Sequence, residues 1–284
     1  MRPARKLVCA AVVAAIGASA SPSAATAGEF DQFKQCPLSN HEINDCFYTV
    51  TNGGSVKLGA TTISLVNPVT LQGGYIGYGS ETQFYGAENG DTLSKTSQPV
   101  PTGLAGQTAP NTWPGPVQSW FNETIGMGYT GVSATIELTG PTKGHTDIGL
   151  NTENLLLEEG VALSLPVRVK LNNTILGSNC YIGSETEPVQ LELTTGKSGS
   201  LTGTPGEITF NEEFTIITIS KLKLVDGTFA APAASGCGGT YSAYVDPLID
   251  SIFELPASSG KNSATLEGTL RDAGAEATTT AFMM

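Results

Sequence analysis

Apolar and polar residues alternate along several stretches of this chain, and a period of two commits them to strands with one buried face. Val161, Leu163, Leu165, Val167, Val169 and Leu171 form one such face, with Ala162, Ser164, Arg168 and Lys170 opposite. Pro166 falls on the second face, where its missing N–H predicts an edge strand or a bulge. Val132–Leu138 and Val189–Leu193 repeat the pattern. Phe214–Leu224 extends it, with Lys221 and Lys223 on one face and a turn at Asp226-Gly227. Glu159-Gly160 separates Leu155-Leu156-Leu157 from the following strand, which predicts a hairpin.

Helical signals are few. Asp246 reads as an N-cap with Pro247 at the first helical position, and Pro256 stops the helix after Phe253. Val117–Thr124, which carries Trp120, is a second candidate. Segments 96–116 and 196–206 are rich in Pro, Gly and Thr and read as loops, and residues 275–284 read as a flexible tail. The expected fold is all-β: an antiparallel β-sandwich or barrel-like domain over 28–274, with Greek-key-type connections and one or two short helices. An internal echo raises a two-unit alternative. Ile63-Ser-Leu-Val-Asn-Pro-Val leads to Tyr75-Ile-Gly-Tyr-Gly-Ser-Glu-Thr, and Leu163-Ser-Leu-Pro-Val leads to Tyr181-Ile-Gly-Ser-Glu-Thr. A duplication would start its second β unit near residue 117.

Residues 1–27 read as a cleaved export signal. Arg2, Arg5 and Lys6 precede the apolar run Leu7–Ala18, and Ala25-Thr26-Ala27 offers a cleavage site before Gly28. Twelve apolar residues are too few to span a bilayer as a helix. Cleavage removes Cys9, so four of the five cysteines remain, an even set that reads as disulfides in an exported chain. Three connectivities are formally open, and the expected pairs are Cys36–Cys46 and Cys180–Cys237. The ten-residue spacing of the first pair is too wide for a zinc knuckle. Removing three of the 14 Lys+Arg leaves 11 against 26 Asp+Glu, a net charge of −15. That charge disfavours nucleic acid and anionic lipid as partners.

Candidates for chemistry are thin. The chain has two histidines. His145, in Gly144-His-Thr-Asp147, reads as a polar loop in which a His–Asp pair would orient a base, but no nucleophile elbow accompanies it. His41 falls inside the Cys36–Cys46 loop. Glu158/Glu159 and Glu212/Glu213 are the carboxylate pairs a glycoside hydrolase would need, yet adjacent strand residues point to opposite faces. Gly126-Met-Gly-Tyr-Thr-Gly131 has dinucleotide spacing but precedes a strand instead of a helix. No catalytic residue, cofactor or metal is expected. Tyr75, Tyr78 and Tyr85 in a Gly-rich stretch, with Trp113 and Trp120 beside prolines, are candidates for stacking on a ligand. Rings of this kind also plug the ends of β cores.

Leu171-Asn-Asn-Thr-Ile-Leu-Gly-Ser-Asn-Cys180-Tyr-Ile-Gly-Ser, with Cys36-Pro-Leu-Ser-Asn and Leu71-Gln-Gly-Gly, resembles secreted actinobacterial proteins of unknown function. The resemblance implies an exported product and brings no activity. The leading expectation is a noncatalytic extracellular or envelope-associated β protein with a cell-envelope or protein partner. The alternatives are a secreted carbohydrate-active hydrolase using carboxylates, and an oligomeric envelope β-barrel.

Overall fold

The computed structural model describes residues 27–283, so the leader read in residues 1–27 lies outside the described residues except for Ala27. A 3-10 helix over Ala27–Phe33 leads into β1 (Asp45–Leu58), β2 (Thr61–Ser64), β3 (Val69–Ile76), β4 (Gln83–Gly86) and β5 (Ser97–Val100). Helix α1 (Gly115–Gly126) precedes β6 (Val132–Leu138) and β7 (Gly144–Leu150), and α2 (Asn154–Leu157) precedes β8 (Leu163–Asn172). Short strands follow: β9 (Tyr181–Ile182), β10 (Val189–Leu193), β11 (Lys197–Ser198), β12 (Leu201–Thr202) and β13 (Glu207–Phe210). The chain continues through β14 (Ile216–Asp226), β15 (Ala234–Ser235), α3 (Ser242–Phe253), β16 (Ser263–Gly274) and α4 (Ala275–Met283).

Fourteen strands share one antiparallel sheet whose path runs β13-β14-β16-β1-β3-β4-β7-β8-β6-β5. β10 and β9 flank β8, β15 pairs β9, and β2 pairs β1. The sheet is open. Its far side returns toward the start through a bridge in which the Thr194 and Val225 amides donate to each other's carbonyls at 3.0 and 2.9 Å. The all-β antiparallel architecture expected from the alternation is therefore present. The proposed boundary near residue 117 is crossed by strand pairing, β1 with β16 and β4 with β7. The echoed tyrosines also differ: Tyr75 lies opposite Asp45, and Tyr181 opposite Lys170.

The inward faces bury the alternating residues Leu163, Leu165, Val167, Val169 and Leu171 of β8 with Leu222 and Leu224 of β14. The residual cavity beside Val56, Leu58 and Val169 is about 10 Å³, room for a single water at most. Gly73 lets two aromatics meet there. It sits opposite Phe47, and a Cβ would strike the Phe84 ring and the Tyr85 carbonyl, where Phe47 and Phe84 pack edge to face at 5.5 Å. A second cluster covers the outer face, where Phe30, Phe33 and Ala281 pack on Cys46, Ile216 and Ala273.

Four local expectations change. β8 is central instead of an edge. Pro166 falls where β6 has ended, after Leu138↔Val167, and its carbonyl accepts the Thr139 amide at 3.0 Å, so the missing N–H is confined to that junction. Leu155-Leu156-Leu157 belongs to α2, because Asn151 Oδ1 accepts the amides of Glu153 and Asn154 and so starts a helical turn. α3 starts at Ser242, earlier than expected, because Asp246 does not cap it. Its carboxylate instead accepts the amides of Gly236 and Cys237. The expected flexible tail is α4, an Ala-rich helix whose buried Thr278 and Ala281 lie against the outer face.

Candidate functional site

The cysteine pairs are Cys36–Cys46 and Cys180–Cys237, with Cα atoms 5.4 and 4.1 Å apart. The second pair is held in place by α3, whose Asp246 and Asp250 accept the amides of Gly236, Cys237 and Ala234.

The five aromatic candidates do not form one surface. Tyr75 is 4% exposed and faces the core, while Tyr78 is 55% exposed and packs edge to face on it at 6.3 Å. Tyr85 lies on the outer face against His145. Trp113 is buried against Phe121 and Tyr244, and Trp120 lies on Tyr241 with ring centroids 4.7 Å apart, where α1 meets α3. Burial of Tyr75 and Trp113 leaves their rings no open face for a ligand, so these two plug the core. The pattern could not separate them from the others because loop rings and core plugs look alike in sequence.

His145 and Asp147 belong to strand β7 and not to a loop, both on its exposed side. His41 is exposed in a turn. Glu212 and Glu213 occupy the β13–β14 turn, where Glu213 Oε2 accepts Asn211 Nδ2 at 3.2 Å. Gly126–Gly131 covers the C-terminal end of α1, so it cannot offer the helix N-terminus that a pyrophosphate needs.

Glu158 and Glu159 do reach a concave surface. With Glu192, Thr194, Lys197, Ser198 and Thr228 they line an open groove of about 390 Å³. Buried Asp226 organises its floor by accepting the Glu192 amide at 2.7 Å and both the amide and hydroxyl of Thr228 at 2.8 Å. Replacing Asp226 with alanine orphans these donors, and urea unfolding is expected to show a loss of about 1.5 kcal/mol. An unchanged midpoint would mean that water replaces the carboxylate without cost.

Two perturbed carboxyls, Asp45 and Asp272, escaped the sequence reading. Asp45 and Tyr75 are opposite one another on β1 and β3, while Asp272 on β16 is opposite Phe47. Opposed residues share a face, so Asp45, Asp272 and Tyr75 all point into the core side, with Tyr78 beside them. Burial, then the Asp45 charge, pushes Asp272 well above the usual carboxylate range, against a hydrogen bond from Tyr75. Burial also raises Asp45, which Tyr78 opposes by hydrogen bonding, and Asp45 Oδ2 is buried without a partner. Tyr78 is in turn pushed up to about 12 by burial and the Asp45 charge. Among the described residues no cation forms an ion pair with either aspartate.

An apolar strip is exposed on the β13–β14 hairpin. Ile208 and Phe210 are 42% and 44% exposed, and Phe214 at the turn is 77% exposed. Asn211 braces the turn by accepting the Thr215 and Ile216 amides on its Oδ1.

No family model, curated protein or solved structure matches the chain.

Proposed function

We propose that the mature chain is an exported extracellular or envelope-associated β protein that acts by binding and not by catalysis. The observation that carries this reading is the exposed apolar hairpin, on which Ile208, Phe210 and Phe214 gather. Isolated exposed apolar residues are ordinary, whereas three gathered on one hairpin mark an interaction surface. Two disulfides fit an oxidising compartment. The cleaved leader and the resemblance to secreted actinobacterial proteins belong to the same proposal.

The alternatives have less support. A hydrolase needs two acids facing each other across an accessible cleft. The groove at Glu158, Glu159 and Glu192 has no aromatic ring among its lining residues, and Asp45 and Asp272 lie side by side on one face of the sheet, not across a cleft. An envelope barrel turns its apolar residues outward, whereas β10 buries Val189, Leu191 and Leu193 and exposes Gln190 and Glu192.

Expression in an exporting host tests the reading. The secreted protein is expected to begin at Gly28 and, once denatured, to show no free thiol, because Cys9 leaves with the leader. One thiol per chain would mean the leader is retained and would sink the export proposal. Release of reducing ends from polysaccharides, abolished by Glu159→Gln, would replace the binding reading with the hydrolase.

A further inference from the structure

Among the described residues β13 ends the path of the sheet and pairs on one side only, with β14. The Asn211 amide donates to the Ile216 carbonyl at 3.1 Å, one step beyond Phe210↔Ile217 in the same register. In an antiparallel ladder such bonds recur at every second residue, so Glu207, Thr209 and Asn211 direct their backbone groups toward β14. The N–H and C=O of Ile208 and Phe210 therefore point outward along the free edge. These same two residues carry exposed apolar side chains, and Phe214 lengthens the strip by packing on Phe210 at 5.8 Å. Edge strands are ordinarily blunted by proline, by charge or by cover, because a bare edge recruits other strands. Here both faces of β13 are exposed.

The alternation on β13 sets the chemistry of an added strand. Ile208 and Phe210 lie opposite Ile219 and Ile217 on the core-facing side of the sheet. Glu207 and Thr209 occupy the other face, and Glu212 and Glu213 follow at the turn. Glu207 already attracts a cation, Lys221, at 2.7 Å. A second copy would bring more acidic surface to this edge, since the chain carries 26 Asp+Glu against 14 Lys+Arg. A strand with apolar residues on one face and basic residues on the other meets both faces favourably.

We infer that the free edge of β13 accepts an extended segment of another protein, alternating apolar and basic residues, which joins the sheet through Ile208 and Phe210. The inference rests on the binding reading above and names the partner class for it.

The test is selection of a displayed random dodecapeptide library against the mature chain. Ile208→Pro removes an outward N–H without touching the β14 ladder, a position where edge strands tolerate proline. Phe214→Ser removes the exposed ring from the turn, and thermal unfolding verifies that each variant folds. Recovered peptides are expected to alternate apolar residues with Lys or Arg. Their affinity is expected to fall on the order of tenfold in either variant. Peptides that bind Ile208→Pro undiminished, that lack basic residues, or that fail to enrich at all overturn the inference. So does a dimer of the mature chain that Ile208→Pro dissociates, which would assign the edge to a second copy. Catalytic turnover, by contrast, would defeat the binding reading itself and is measured separately.

Discussion

Asp272→Asn is expected to stabilise the protein at pH 8.5 by on the order of 2 kcal/mol, and to leave it nearly unchanged at pH 4. Asp272 and Asp45 both titrate above 3.8 in the fold, so the native state binds more protons than the unfolded chain. The resulting stabilisation is fully present below 3.8 and is lost as pH rises through the raised native values. Above them two half-buried carboxylates stand on the core-facing side of the sheet with no ion-pair partner among the described residues, and an uncompensated charge withdrawn from water is costly. An amide at 272 cannot ionise, so the variant loses both the desolvation cost and the repulsion of Asp45. Asp45→Asn is expected to act in the same direction with a smaller effect, because its own shift is smaller. Urea unfolding at pH 4, 6 and 8.5 decides the matter. Parallel curves for wild type and Asp272→Asn would show that the carboxyl is hydrated after all.

Replacing Cys180 and Cys237 together with alanine is expected to cost about 4 kcal/mol, against about 3 kcal/mol for Cys36 and Cys46. The order follows from loop length. The first bridge closes a separation of 57 residues and the second one of 10, and the longer loop removes more entropy from the unfolded chain. The long bridge also lies in the main core, with both cysteines fully buried, and it joins the β9 approach to the segment braced by α3. Guanidinium unfolding of the two double variants reads the difference. A larger loss at Cys36–Cys46 would show that native packing of the outer-face cluster outweighs chain entropy.

Strands whose alternation is uninterrupted were legible in the sequence. β6 and β10 match their expected ranges, and β8 begins two residues late, at Leu163, leaving Val161 exposed. β14 starts at Ile216 instead of Phe214, because Asn211 folds the preceding residues into a turn and swings Phe214 out to solvent. Short apolar runs such as Leu155–Leu157 fit strand or helix equally well, so the side chain of Asn151 decided that case. α4 was missed because its Ala and Thr residues look like a frayed end until Phe30 and Phe33 supply a surface to cover. The even count of cysteines left three connectivities open, and the fold realises the expected pairs Cys36–Cys46 and Cys180–Cys237. The acid pair was not legible. Asp45 and Asp272 meet only through the β1–β16 register, which joins residues more than two hundred positions apart, and no local pattern carries that information. One signal was present: Asp45 stands two residues from Phe47 in a strand, on the face that Phe47 buries.

The pairing of β1 with β16 also bears on when this chain can fold. β1 makes its longest ladder with residues 263–274, so its central position in the sheet stays half-empty until that distant segment is available. Contacts of such sequence separation form slowly, since loop closure must precede any gain. A nascent chain therefore remains without its central ladder, and so pliable, for most of its synthesis. Only when residues 263–274 have emerged does β1 gain the strand of its longest ladder, which ties completion of the fold to the arrival of that segment.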